Sequence, residues 1–141
     1  MKNEELKNRK FYDILDLKEG IIMKNDKLSV TSMNFSISII NLNKELREKK
    51  EYIISNQIGK SGTSIGANIR EAQYAHSKVD FISKMQIALK EANETGYWLE
   101  LLFNTDYITE RQYKILDAEC KSLRAMLVSS INTAKNSLNK D

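Results

Sequence analysis

Three sets of residues in this sequence have types and spacings that could do chemistry. The first is Gly59-Lys60-Ser61, which spells the end of a phosphate-binding loop. Such a loop cradles phosphate oxygens with backbone N–H groups, and it needs an earlier glycine and a preceding strand. Ile54 stands where that glycine belongs, so the tripeptide reads as part of a helix. The second set is Asp80, Lys84, Ile87, Glu91, Glu94 and Trp98. Their spacing of i, i+4, i+7, i+11, i+14, i+18 lays them along one stripe of a helix. Glu91 and Glu94, one turn apart, are the raw material of acid–base catalysis. No nucleophile or histidine base shares their stripe, so a non-enzymatic role is expected. The third set is Lys114, Lys121, Arg124 and Lys135. These fall within an arc of about 80° on a helical wheel, with Asp117 diluting them. A row of cations can contact a polyanion. Aromatic side chains are not interleaved with it, so base stacking is not expected.

Single residues exclude other chemistries. His76 is the one histidine and Cys120 the one cysteine. A carboxylate metal site of the helix-bundle type needs Glu-x-x-His repeats, and a catalytic triad needs a histidine among other partners. No metal or other cofactor is therefore expected. A lone cysteine forms no disulfide framework and fits a reducing, cytoplasmic setting. Cys120 falls at the edge of an apolar face, where a buried, inert thiol is expected.

These groups must be positioned by helices. The 141 residues contain no proline and five glycines, and 41% are hydrophobic. Such a chain has little turn chemistry for a sandwich or barrel. Charged residues make up 29%, with a formal net charge of +3, and no segment is a polybasic arm. No apolar run approaches the ~20 residues of a membrane span. Residues 1–28 read as a leader, partly ordered or forming a short helix through Leu6, Phe11, Ile14 and Leu15, with a break from Gly20 to Lys27. Residues 29–141 read as one domain of four helices.

The first helix is predicted over residues 32–48, where Phe35, Ile39, Leu42 and Leu46 share a face. The second, over 51–75, has the stripe Ile54, Ile58, Ser61, Ile65, Ile69 and Ala72. The third, over 78–104, starts at the Ser77-x-x-Asp80 signal and buries Phe81, Met85, Ala88, Ala92, Leu99 and Phe103. The fourth, over 110–138, follows a Thr109-x-x-Gln112 capping box and buries Ile115, Leu116, Leu123, Leu127, Ile131, Ala134 and Leu138. Short connections make sequence neighbours antiparallel, which gives an all-α, up-down-up-down four-helix bundle.

Folding the second and third helices back about His76 pairs positions whose numbers sum to about 154. Gly66 then meets Ala88, Gly62 meets Ala92, and Gly59 meets Gly96. A close, small-residue seam between these two helices is expected. The same fold-back brings Glu71 near Lys84. Gln57, Ser64, Asn68 and Glu71 join Lys84, Glu91, Glu94 and Trp98 as an expected subunit or partner contact. Aromatic anchors dominate interfaces, which suits Trp98; solvated ion pairs are the alternative.

The run Gln57-Ile58-Gly59-Lys60-Ser61-Gly62-Thr63-Ser64-Ile65-Gly66-Ala67-Asn68-Ile69-Arg70-Glu71-Ala72, followed by Ser77-Lys78-Val79-Asp80-Phe81-Ile82-Ser83-Lys84 and the segment from Ile87 to Leu102, resembles the signature of the bacterial 23S rRNA intervening-sequence protein family. The resemblance spans roughly residues 27–104. It implies a four-helix bundle that assembles into a ring, commonly a homopentamer. Some relatives are accessory proteins of diversity-generating retroelements, which bind a reverse transcriptase and nucleic acid through a basic barrel. The resemblance therefore implies self-association, with RNA, DNA or a reverse transcriptase-like enzyme as further partner. The chain departs from the pattern at Ser38, where relatives often carry Arg, and at Gly59, where they carry an apolar residue.

Overall fold

The computed structural model describes residues 22–140. Four helices follow one another: α1 (Ile22–Glu48), α2 (Ile53–Gln73), α3 (Lys78–Asn104) and α4 (Glu110–Asn139). There is no strand among the described residues. Each helix packs on its sequence neighbours, and α4 returns to α1 to close the bundle.

Helix α1 buries Leu28, Ser32, Phe35, Ile39, Leu42 and Leu46, a strict alternation of four- and three-residue steps. It begins ten residues before the expected start and takes in the end of the leader. Residues 24–27 are polar but contain neither proline nor glycine, so nothing in their covalent structure stops a helix. The amphipathic reading of the leader near Leu6 to Leu15 lies outside the described residues.

The turns carry unexpected chemistry. Lys50 and Asp106 have left-handed backbones, with φ of 61° and 64°. In each turn two N–H groups close back on the preceding helix: Glu51 to the Leu46 carbonyl and Lys50 to Arg47, then Tyr107 to Leu102 and Asp106 to Phe103. This is the Schellman closure, which glycine usually serves. Glu51 was expected to begin α2. It lies outside the helix, 7% exposed, and its carboxylate accepts the N–H groups of Ile54 (2.9 Å) and Ser55 (2.7 Å). It therefore caps α2 in place of Tyr52, whose side chain makes no cap bond. The other caps match the sequence signals: Ser77 accepts from the Asp80 N–H, and Thr109 and Gln112 form a reciprocal capping box.

The expected stripe of α2 is buried in full. The glycine seam is not where it was expected. A methyl group on Gly62 would meet Ile39 of α1, one on Gly66 would meet Ser32 and Ser36, and one on Gly59 would meet Asn43; at Gly96 it would meet nothing. The glycines thus admit α1, and α3 packs on the adjacent Ser61 face. There the Ser61 and Thr95 hydroxyls are hydrogen-bonded at 2.9 Å, inside the core. The fold-back itself holds, at a sum of 155 to 156: Glu71 and Lys84 form an ion pair at 3.2 Å. The expected pairing picked the wrong one of two adjacent small-residue rows, which are separated by about 100° on a helix.

Candidate functional site

The phosphate-loop reading fails on geometry. Lys60 and Ser61 lie within α2; Lys60 is exposed, while Ser61 is buried against Thr95. His76 is exposed in the α2–α3 turn, and its backbone N–H approaches Asp80 at 3.4 Å. Cys120 is fully buried, and its thiol donates to the Ala92 carbonyl at 3.2 Å. Burial pushes that thiol up to about 11, so it is not a nucleophile near neutral pH. Among the described residues, no three His, Cys, Asp or Glu side chains are grouped to hold a metal ion.

The α2–α3 face gathers the residues expected to form an interface. Ser64 donates to the Lys60 carbonyl at 2.6 Å, and the Asn68 amide donates to the Ser64 carbonyl at 2.8 Å. Both side chains are thereby held against their own helix, half-buried, with Gln57 exposed one turn before Lys60. Glu71 and Lys84 bridge the two helices near the turn. Further along, Glu91 is half-buried and Glu94 exposed. Burial holds the Glu91 carboxyl above the usual range, and the neighbouring Glu94 raises it further by charge and by a hydrogen bond; Lys60 and Lys90 oppose this. Two carboxyls and two lysines thus lie close together on this face. Trp98 lies half-buried against the core, edge-on to Tyr97 with ring centroids 4.9 Å apart. Tyr97 is the more exposed aromatic of the two.

The basic stripe of α4 is partly neutralised within its own helix. Lys114 pairs with Glu110 at 3.1 Å, and Lys121 pairs with Asp117 at 2.9 Å. The Asp117 hydrogen bond, followed by its charge, raises Lys121 above the ordinary lysine value. Arg124 donates to the Asn93 side chain of α3 at 3.3 Å, and Lys135 is exposed. A shallow groove between α3 and α4 is lined by Leu89, Asn93, Lys121, Arg124, Val128 and Asn132, among others. The four expected cations thus divide into two ion-paired lysines, one arginine tied to an amide, and one exposed lysine.

One surface escaped the sequence reading. Val30, Met33, Ile37 and Ile40 line the outward side of α1, opposite its buried row. The signal was present: residues 29–43 are fifteen consecutive positions without a charge.

No helix of the described residues is long and apolar enough to cross a membrane. No curated protein matches the chain. Among solved structures it is similar to a protein of unknown function from the S23 ribosomal protein family of Bacteroides thetaiotaomicron. The two are 51% identical with a TM-score of 0.76, over 77% of this chain and 98% of that one. The family model described as 23S rRNA-intervening sequence protein matches residues 24–129. This stretch includes the α2–α3 face and most of α4, so the chain belongs to the 23S rRNA-intervening sequence protein family.

Proposed function

We propose that this protein is a non-enzymatic scaffold that associates with copies of itself through the α2–α3 face and presents α4 to a larger partner. The observation that carries the reading is the make-up of that face. Ser64, Asn68, Lys84, Glu91 and Trp98 are all half-buried, and the exposed apolar Ile87 sits among them. A solvated face would hold its charges out in water, and a core face would exclude them. A mixture with an aromatic body and pre-oriented amide and hydroxyl groups suits a protein contact. The family resemblance supports a ring, commonly of five subunits.

RNA, DNA or a nucleic-acid enzyme is the favoured class of larger partner. The groove of Arg124, Lys121, Asn93 and Asn132 supports it with cations and amides side by side. The pairing of Lys114 and Lys121 leaves a single subunit with little unopposed charge there, so binding would draw on repetition of the stripe around a ring. A second reading, a scaffold with a purely protein partner, is favoured by those same ion pairs.

Two measurements on the full chain test this. Sedimentation should show an oligomer that Ile87→Asp dissociates into folded, smaller species; a monomeric wild type would overturn the self-association. Anisotropy with a structured RNA should show binding that weakens by at least tenfold from about 50 to 200 mM salt, as phosphate contacts do. Absence of binding at the lower salt would remove the nucleic-acid reading and leave the protein-only one.

A further inference from the structure

The outward side of α1 exposes a row of apolar side chains with no charged residue among them. Val30, Met33, Ile37 and Ile40 are 60, 46, 51 and 45% exposed. They recur at i, i+3, i+7, i+10, which aligns them along one ridge of the helix. The polar residues between them over residues 29–43 are serine, threonine and asparagine only. Depletion of charge around exposed apolar side chains marks a surface that another chain segment covers.

We propose that the occupant is the leader of this same chain, residues 1–21, folded back along α1. Its sequence is complementary to the ridge. Phe11, Ile14 and Leu15 offer a cluster of large apolar side chains with Leu6 beyond them, and the first twenty residues also carry five basic and five acidic groups. Apolar contact with α1 would leave those charges on the outside, restoring to this side of the bundle the solvated exterior that α1 lacks. The geometry permits it. The leader joins α1 at Ile22, eight residues before Val30. Ile40 lies about 27 Å along the helix from that junction, and twenty residues can span up to ~66 Å. Gly20 gives the chain freedom to reverse direction immediately before α1. The tether also favours the leader over a second copy. A short link holds a segment at an effective concentration of the order of millimolar, well above that of free subunits. The family match begins only at residue 24, so the leader lies outside the shared region and is independent of the ring contact assigned to α2 and α3.

The test is limited trypsin digestion of the full chain, following cleavage after Arg9 and Lys10. Cleavage of a docked segment follows the fraction of time that it is open. Ile37→Asp on the ridge and Ile14→Asp in the leader should each accelerate leader cleavage by about tenfold or more, the measure of a docking equilibrium favoured by an equal factor. The wild-type rate should not change between dilute and concentrated protein. Ile37 is solvent-exposed, so circular dichroism should show Ile37→Asp still folded; Ile14→Asp reports independently if it is not. Equal cleavage rates in wild type and both variants would overturn the proposal. Loss of oligomer mass in Ile37→Asp with unchanged leader cleavage would also overturn it, in favour of a second copy as the occupant.

Discussion

Two glycine-to-alanine substitutions should move stability in opposite directions. In a helix interior, alanine is favoured over glycine by about 1 kcal/mol. At Gly96, in the middle of α3, a new methyl group meets nothing within 4 Å. The helix preference should appear undiminished, so Gly96→Ala should stabilise by about 1 kcal/mol and raise Tm by about 3 °C. At Gly62 the same methyl would lie 2.9 and 3.0 Å from two Ile39 carbons, and 3.3 Å from its Cβ. Ile39 is fully buried, and a β-branched side chain in a helix has essentially one rotamer. It cannot swing away, so α1 and α2 must separate. Overpacking of this kind costs about 1–3 kcal/mol. Set against the helix gain, Gly62→Ala should destabilise by about 1 kcal/mol. Urea unfolding followed by circular dichroism measures both. If Gly62→Ala were stabilising, the α1–α2 approach would be looser than described. If Gly96→Ala were destabilising, α3 would carry a close contact at that position and the assignment of the seam to α1 would fail.

Glu51→Ala should cost about 2 kcal/mol in the same assay, because it strips the acceptor from two buried N–H groups; a loss below a few tenths would mean water replaces the cap. Glu91→Gln should raise Tm at pH 7 and change it little at pH 4. The sign follows from the raised carboxyl: the folded state holds the Glu91 proton more tightly than the unfolded state, so wild-type stability falls as pH rises above the ordinary carboxylate value, and an unchanged pH profile in the variant would refute it. Cys120, with its thiol near 11, should be only about 0.1% thiolate at pH 8. Alkylation should therefore be slow until the protein unfolds, and rapid labelling of the folded chain would contradict its burial.

Periodicity revealed most of the architecture. The rows Phe35-Ile39-Leu42-Leu46 and Ile54-Ile58-Ser61-Ile65-Ile69-Ala72 are buried as expected, because burial of a helix stripe is what creates the period. Side-chain caps at Ser77 and Thr109 were legible because they use local hydrogen bonds that the residue types announce. The turns at Lys50 and Asp106 were not. Their left-handed residues are not glycines, and tertiary contacts hold them: Lys49 donates to the Tyr107 carbonyl at 2.9 Å and Gln112 to Glu45 at 3.0 Å, tying the two turns together at one end. The orientation of α2 was only half legible. A helix with small residues on two adjacent rows can present either row to either neighbour, and the choice depends on α1, which sequence spacing within the α2–α3 hairpin does not involve. On α4, the cations were visible but their neutralisation was misjudged, since Lys114 and Lys121 each have an acid four residues earlier.

The buried hydroxyl pair of Ser61 and Thr95 has a consequence for alignment. Apolar rows are tolerant of sliding: displaced by one turn, about 5.4 Å, α2 would still offer an isoleucine to each neighbour. The hydroxyl pair is not tolerant. Such a slip would place Ile58 or Ile65 against Thr95 and break the Ser61–Thr95 bond, leaving each hydroxyl only a carbonyl of its own helix, Ile58 for Ser61 and Glu91 for Thr95, a loss of about 1 kcal/mol. In net adhesion the hydrogen bond contributes little, yet together with the Glu71–Lys84 ion pair it distinguishes the native setting of the α2–α3 seam from its neighbours. It works as a detent, holding the two longest family motifs in the single mutual position at which Glu71 meets Lys84.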